Sequence, residues 1–116
     1  MTQNWLYGEY RNDGKLATLN NASGAIVLDC SNNLFDITQT GNIQFSFSSV
    51  TQATALIVMI ERTGNYSDTW PANVVPSDGV LPAQSIGPGL MDIYTLITSR
   101  AGAPWVIQPF ALGVPL

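Results

Sequence analysis

Four aspartates, Asp29, Asp36, Asp68 and Asp92, are the side chains best suited to acid–base work in this sequence. Sugar cleavage needs two carboxylates facing each other across a cleft. The pattern instead puts these four on polar strand faces or in loops, with nothing to bring two of them together. Asp92, just inside a strand, is expected to accept hydrogen bonds from a loop backbone. The chain has no histidine, so Ser–His and Cys–His nucleophile pairs are excluded and the common zinc and iron sites lose their usual ligand. Cys30 is the sole thiol, which rules out an internal disulfide. It falls in phase with Ile26 and Leu28 and reads as a small buried hydrophobe rather than a nucleophile. No glycine-rich phosphate loop is present. The reading is a protein without catalytic, cofactor-binding or metal-ligating residues, and not an enzyme.

Charge points the same way. The net charge is -4, with basic residues only at Arg11, Lys15, Arg62 and Arg100, scattered along the chain. Phosphate contacts need clustered cations, so no nucleic-acid partner is expected. Only 10% of residues are charged while 46% are hydrophobic, well below the roughly one quarter charged of an average globular domain. A surface so poor in charge is easily desolvated and is expected to be covered by other subunits. No apolar run approaches the roughly 20 residues of a membrane helix, and the opening residues are not expected to act as a signal peptide. The sequons Asn21-Ala22-Ser23 and Asn65-Tyr66-Ser67 mean turn chemistry only.

The elements that position these residues are strands. From Asn33 to Arg62 the sequence reads as three in succession. Phe35 and Ile37 alternate with Asp36 and Thr38, and Ile43, Phe45 and Phe47 alternate with Gln44, Ser46 and Ser48. Thr40-Gly41-Asn42 between them suggests a hairpin. Ala55 to Ile60 is apolar on both faces, as a central strand would be. Upstream, Lys15 to Asn20 makes a strand, Asn20 to Gly24 a turn, and Ile26 with Leu28 another strand. Downstream, Tyr66 to Trp70 alternates briefly, Met91 to Thr98 is a strand, and Ala101-Gly102-Ala103 turns the chain into Trp105-Val106-Ile107. Four prolines and three glycines make 71–90 an irregular connection.

Length allows one domain, divided as an arm over 1–14, a β domain over 15–108 and an apolar tail over 109–116. Trp5, Tyr7 and Tyr10 give the arm aromatic bulk. It is either an edge strand on its own domain or an arm reaching a neighbouring subunit. Phe110, Leu112 and Val114 mark the tail, which lies in a groove or, the reading we favour, docks on a partner. The fold class is all-β: an antiparallel β-sandwich or jelly roll of about eight strands with no significant helix. Its expected core is Ile26, Leu28, Phe35, Ile37, Ile43, Phe45, Phe47, Leu56, Val58, Ile60, Trp70 and Trp105.

Gly41-Asn42 before Ile43, Phe45 and Phe47, an apolar strand ending at Glu61-Arg62, Thr69-Trp70-Pro71 with Asn73-Val74, Asp92 before Tyr94-Thr95-Leu96, and a glycine turn into Trp105 occur in that order. Together they resemble a β-sandwich module of tailed-bacteriophage virion proteins, over roughly residues 24–107. The module commonly has paired glycines before the final tryptophan and another soon after, where this chain has Ala101-Gly102-Ala103-Pro104-Trp105-Val106. The resemblance implies a virion protein made in the host cytoplasm. The expected role is a decoration or cement protein on the capsid surface, with the major capsid protein and copies of itself (homodimer or homotrimer) as partners. A tail-fibre or spike module for a host receptor is the alternative. No cofactor, nucleic acid or membrane enters either role.

Overall fold

Leu56, Val58, Ile60 and Arg62 share one face of their strand, as do Phe35, Ile37 and Gln39 of theirs, and both faces are buried. The computed structural model describes residues 15–116. The expectations for Trp5, Tyr7 and Tyr10 lie outside the described residues. Seven strands form one hydrogen-bonded mixed sheet: β1 (Leu16–Asp29), β2 (Leu34–Ser48), β3 (Thr54–Arg62), β4 (Asp68–Thr69), β5 (Val74–Pro76), β6 (Leu90–Thr98) and β7 (Trp105–Pro115). No helix occurs among the described residues. The strand order is β1-β2-β3-β6-β7-β5, with β4 attached to β2.

The pairing corrects the expected antiparallel arrangement. β1 and β2 run parallel from the Leu16–Leu34 pair to the Asp29–Ser48 pair, yet only residues 30–33 separate them. That connection spans at most about 18 Å from Asp29 to Leu34, whereas a straight strand from Leu16 to Asp29 would run about 43 Å. Both strands must therefore be sharply bent. The bend in β1 falls where its register shifts, between Leu19 and Gly24, and there Asn21 and Gly24 have φ of 57° and 75°. Asparagine and glycine tolerate that region best. The bend in β2 includes Gly41, where a Cβ would sit 2.8 Å from the Cβ of Ser23. The two bends are nested.

The expected hairpin at Thr40–Asn42 is thus the bend of one strand, as is the expected turn at Asn20–Gly24. The halves of β2 pair with β1 before them and with β3 and β4 after them. Residues of β1 pair with residues 17 to 19 positions further on in β2. In the third coil, β3 lies beside the first half of β2 (Leu34–Ile57 to Gln39–Arg62), and β4 beside the second half (Ile43–Asp68, Gln44–Thr69). The return half of each coil replaces the long crossover that parallel strands otherwise need. β6 and β7 then add antiparallel to β3 and to each other, and β5 closes the order parallel to β7.

One core lies between the halves. Leu28, Ile43 and Phe45 from the return halves share it with Phe35, Ile37, Leu56, Val58, Ile60, Leu96 and Ile107. Phe45 stacks on Trp70 at 4.3 Å and Phe47 on Trp105 at 4.4 Å, while Trp70 meets Tyr94 edge-on. Of the expected core, Ile26, Phe47 and Trp70 are only partly buried against it. Ala22, Val74, Tyr94, Leu96, Ala103 and Ile107 join it in addition. Residues 109–115, expected as part of an apolar tail, continue β7 along β6, with Tyr94 opposite Pro109 and Leu90 opposite Pro115.

Candidate functional site

The most unusual chemistry is internal. Arg62 is fully buried at the end of β3, in phase with Leu56, Val58 and Ile60. Its Nε and Nη2 donate to Asp92 Oδ2 at 3.0 and 2.7 Å. Its Nη1 donates to both oxygens of Asp68 at 2.9 and 2.8 Å and to Gln39 Oε1 at 2.8 Å. Nη2 also reaches the Tyr94 hydroxyl at 3.1 Å. Gln39 completes the ring by donating to Asp68 Oδ1 at 2.8 Å. The cluster joins β2, β3, β4 and β6.

Asp92 also does what its position suggested. Its Oδ2 accepts from the Ser85 amide at 2.7 Å, and its Oδ1 accepts from the Ser85 hydroxyl and, at 2.8 Å, from the Gly113 amide. β6 and β7 lose register between Met91 and Tyr94, and there the carboxylate takes up the Gly113 amide. Burial opposes the charge on Asp92, but the Ser85 hydroxyl and amide, Arg62 and Gly113 hold its pKa below the ordinary value. Asp68 has fewer donors, so burial wins and its pKa is raised despite Arg62 and Gln39. Burial works against the Arg62 cation too, yet Asp68, Asp92 and Tyr94 raise its pKa further. Asp68 and Asp92 do converge, contrary to the sequence reading. They converge on a guanidinium, with side chains 3% and 0% exposed, and not on a cleft that a substrate enters.

Asp29 and Cys30 carry no such arrangement. Asp29 caps its turn by accepting from the Ser31 amide and hydroxyl. Cys30 is partly buried against the core, and burial, then Asp29, push its thiol up to about 11. Among the described residues no three His, Cys, Asp or Glu side chains gather into a metal set, and no helix is long and apolar enough to cross a membrane.

The surface feature is the outward face of the sheet. Ile57 is 45% exposed, so the second apolar face of β3 points outward rather than into the core. Cross-strand pairing aligns Ala55, Ile97, Val106 and Val75 in one row over β3, β6, β7 and β5. The next row runs Leu16, Leu34, Ile57, Thr95 and Gln108. Phe110 sits where β7 shifts register against β6; it is 74% exposed and borders a depression of about 290 Å³ with Leu34, Ala55, Ile57 and Thr95. Shifts of this kind re-aim side chains. Leu112, Val114 and Leu116 are exposed as well. Of the residues expected to bind a partner, Phe110, Leu112 and Val114 therefore lie at the surface on one strand.

The connection over 77–89 exposes Val80, Leu81 and Ile86 but is anchored at its C-terminal side. Gln84 accepts from the Asp68 amide at 2.9 Å and donates to Tyr66 O, Ser85 is held by Asp92, and Gly89 N donates to Arg62 O. A second depression, about 300 Å³, lies between Phe47, Pro71, Asn73, Arg100 and Trp105. Comparison of the chain with family models, curated proteins and solved structures finds no match.

Proposed function

We propose that this is a structural, non-enzymatic virion protein: a β-sandwich of jelly-roll type that decorates or cements a phage capsid from outside. It bridges neighbouring major capsid subunits, alone or with copies of itself, and needs no cofactor, nucleic acid or membrane. The observation that carries the reading is the outward apolar face, from Ala55 and Ile57 across Ile97 and Val106 to Phe110, in a chain with 10% charged residues. Such a face is costly in water and is stabilised when covered. A partner that binds only the assembled shell shifts assembly towards that shell by mass action. The return halves of β1 and β2, folded back over the first halves around one core, support the two-layer architecture. The buried Arg62 cluster supports a rigid structural role, because its charges are spent on tying strands together.

Copy number per particle tests the reading, measured by quantitative mass spectrometry of purified virions. A number matching the capsid lattice is expected. A small multiple of three or six places the chain in the tail, the second reading, which Val80, Leu81 and Ile86 on the 77–89 connection favour as a receptor-facing surface. Absence from virions overturns both. Within the first reading, Phe110→Asp should leave the thermal melt nearly unchanged and lower shell occupancy more than tenfold, since interface anchors contribute about 2 kcal/mol or more. Full occupancy by this variant removes Phe110 from the interface.

A further inference from the structure

Where the C-terminal end of β2 meets residues 71–73 and the β6–β7 turn, the depression beside Trp105 gathers three kinds of group that the fold leaves unused. The first is charge. Arg62 is spent on Asp68 and Asp92, whereas Arg100 is exposed and its guanidinium donates only to Ser99 Oγ, at 3.3 Å. No carboxylate pairs with Arg100 among the described residues. The second is an apolar wall: Phe47 and Trp105 stack with their rings 18° from parallel, and Pro71 lines the same depression. The third is neutral and polar. The side chains of Ser46, Asn73 and Trp105 line the depression, and none hydrogen-bonds to another described residue. The frame around them is fixed. The Thr98 hydroxyl, on a residue 2% exposed, donates to Arg100 O at 3.1 Å with Ala103 O also within 3.3 Å, and Ala103 N donates to Arg100 O. Asn73 O accepts from Trp105 N at 2.9 Å and Pro71 O from Val74 N at 3.0 Å. A few convergent polar groups on a pre-formed apolar lining are what a small-molecule site consists of.

We propose that this depression binds a sugar acid: a pyranose bearing one carboxylate, of the uronate class. The carboxylate pairs with the Arg100 guanidinium, whose planar fork matches it bidentately. The apolar C–H face of the ring packs on half-buried Phe47 and on Pro71. Its hydroxyls exchange hydrogen bonds with Asn73, Ser46 and the Trp105 indole N–H. Other ligand classes fit less well. A nucleic acid needs clustered cations, and Arg100 is the one cation lining the depression. A wholly apolar ligand would strip water from Arg100 and Asn73 without replacing it. A bare anion makes no use of the aromatic wall, and an acidic peptide side chain leaves the hydroxyl-matching groups idle. At about 300 Å³ the depression is at the small end of ligand sites. That suits a single sugar residue, either free or at the end of an acidic polysaccharide. The assignment does not depend on the shell partner proposed above.

NMR titration of the full chain tests it, with sodium galacturonate, galactose and sodium acetate each added at constant ionic strength. Galacturonate should shift the Trp105 indole and the Asn73 and Gly102 amides saturably, with a Kd of about 1 mM, the range open to a ligand of this size. Galactose and acetate should each bind roughly tenfold or more weakly, because each lacks part of the recognition. Arg100→Gln should weaken galacturonate by the same factor while the thermal melt and the response to galactose match the wild type. Tetragalacturonate separates the two sources. Tighter binding than the monosaccharide assigns the site to a polysaccharide and equal binding to the free sugar acid, and both uphold the proposal. No saturable shift at about 50 mM galacturonate, equal binding of galactose or acetate, or full affinity in Arg100→Gln overturns it. Tighter binding of a glutamate-rich peptide than of galacturonate also overturns it. None of these outcomes bears on copy number per virion, so failure here leaves the shell reading standing.

Discussion

At Arg62 a single side chain holds two buried carboxylates, and its loss would leave both without a cation. Breaking a buried pair in this way costs about 3–5 kcal/mol, so Arg62→Met should lower stability by that amount in urea unfolding. A loss below about 1 kcal/mol would mean the cluster contributes no more than a surface ion pair. The two aspartates pull in opposite directions with pH. Asp92 has a depressed pKa, so its contribution is present above its ordinary value of 3.8 and is lost as pH falls through the lower folded value. Asp68 has a raised pKa, so the fold gains as pH falls through that raised value towards 3.8. The melting temperature should therefore hold or rise slightly from neutral pH to about 4 and fall below 3.8. Asp92→Asn should flatten the fall and Asp68→Asn the rise; a steady decline beginning near neutral pH would contradict both assignments. The cluster was partly legible. Arg62 continues the Leu56, Val58, Ile60 phase, Gln39 the Phe35, Ile37 phase, and Asp92 the Tyr94, Leu96 phase. Following the two-residue period past its last apolar member, instead of reading polar side chains as solvated, marks all three as inward.

At the scale of elements, local alternation located the strands well: the segments around Ile43–Phe47, Ala55–Ile60, Met91–Thr98 and Trp105–Ile107 all lie in strands. It could not say which strands pair. Gly41 carries the composition of a hairpin turn, yet a coil bend and a hairpin make the same local demands. What separates them is the neighbour, here Ser23 on the preceding coil. Gly41→Ala should therefore destabilise the fold by about 1–3 kcal/mol, the usual cost of overpacking. Ser23→Gly in the same chain should restore most of the loss, since the clashing atom is the Ser23 Cβ. A double variant no better than Gly41→Ala would place the cost in the backbone of β2. Phe45, 4% exposed and stacked on Trp70, tests the core between the halves. Phe45→Ala should cost about 3–5 kcal/mol, read by thermal or urea melts.

For the whole molecule, the coil architecture explains how a chain this size buries a core and still leaves an apolar face outward. The strands alternate inward and outward side chains, and the outward row Ala55, Ile97, Val106 and Val75, with Ile57 beside it, is aliphatic where a lone soluble domain would carry charge. The low charge content was legible from composition. Its concentration on one sheet face was not, because it depends on the β3–β6–β7 register. The arrangement of β7 has a further consequence. Trp105 and Ile107 belong to the core, Gly113 N is held by Asp92, and Leu116 N donates to Gly89 O. Strand β7 thus pairs with β6 and β5 and provides the stacking partner of Phe47. Until β7 is in place the sheet lacks one of its long strands and the core around Trp105 and Ile107 lies open, so pairing of β6 with β7 is needed to complete the domain. A chain cut before Trp105 would keep an unpaired edge on β6 beside an open core, a lesion that invites both aggregation and proteolysis.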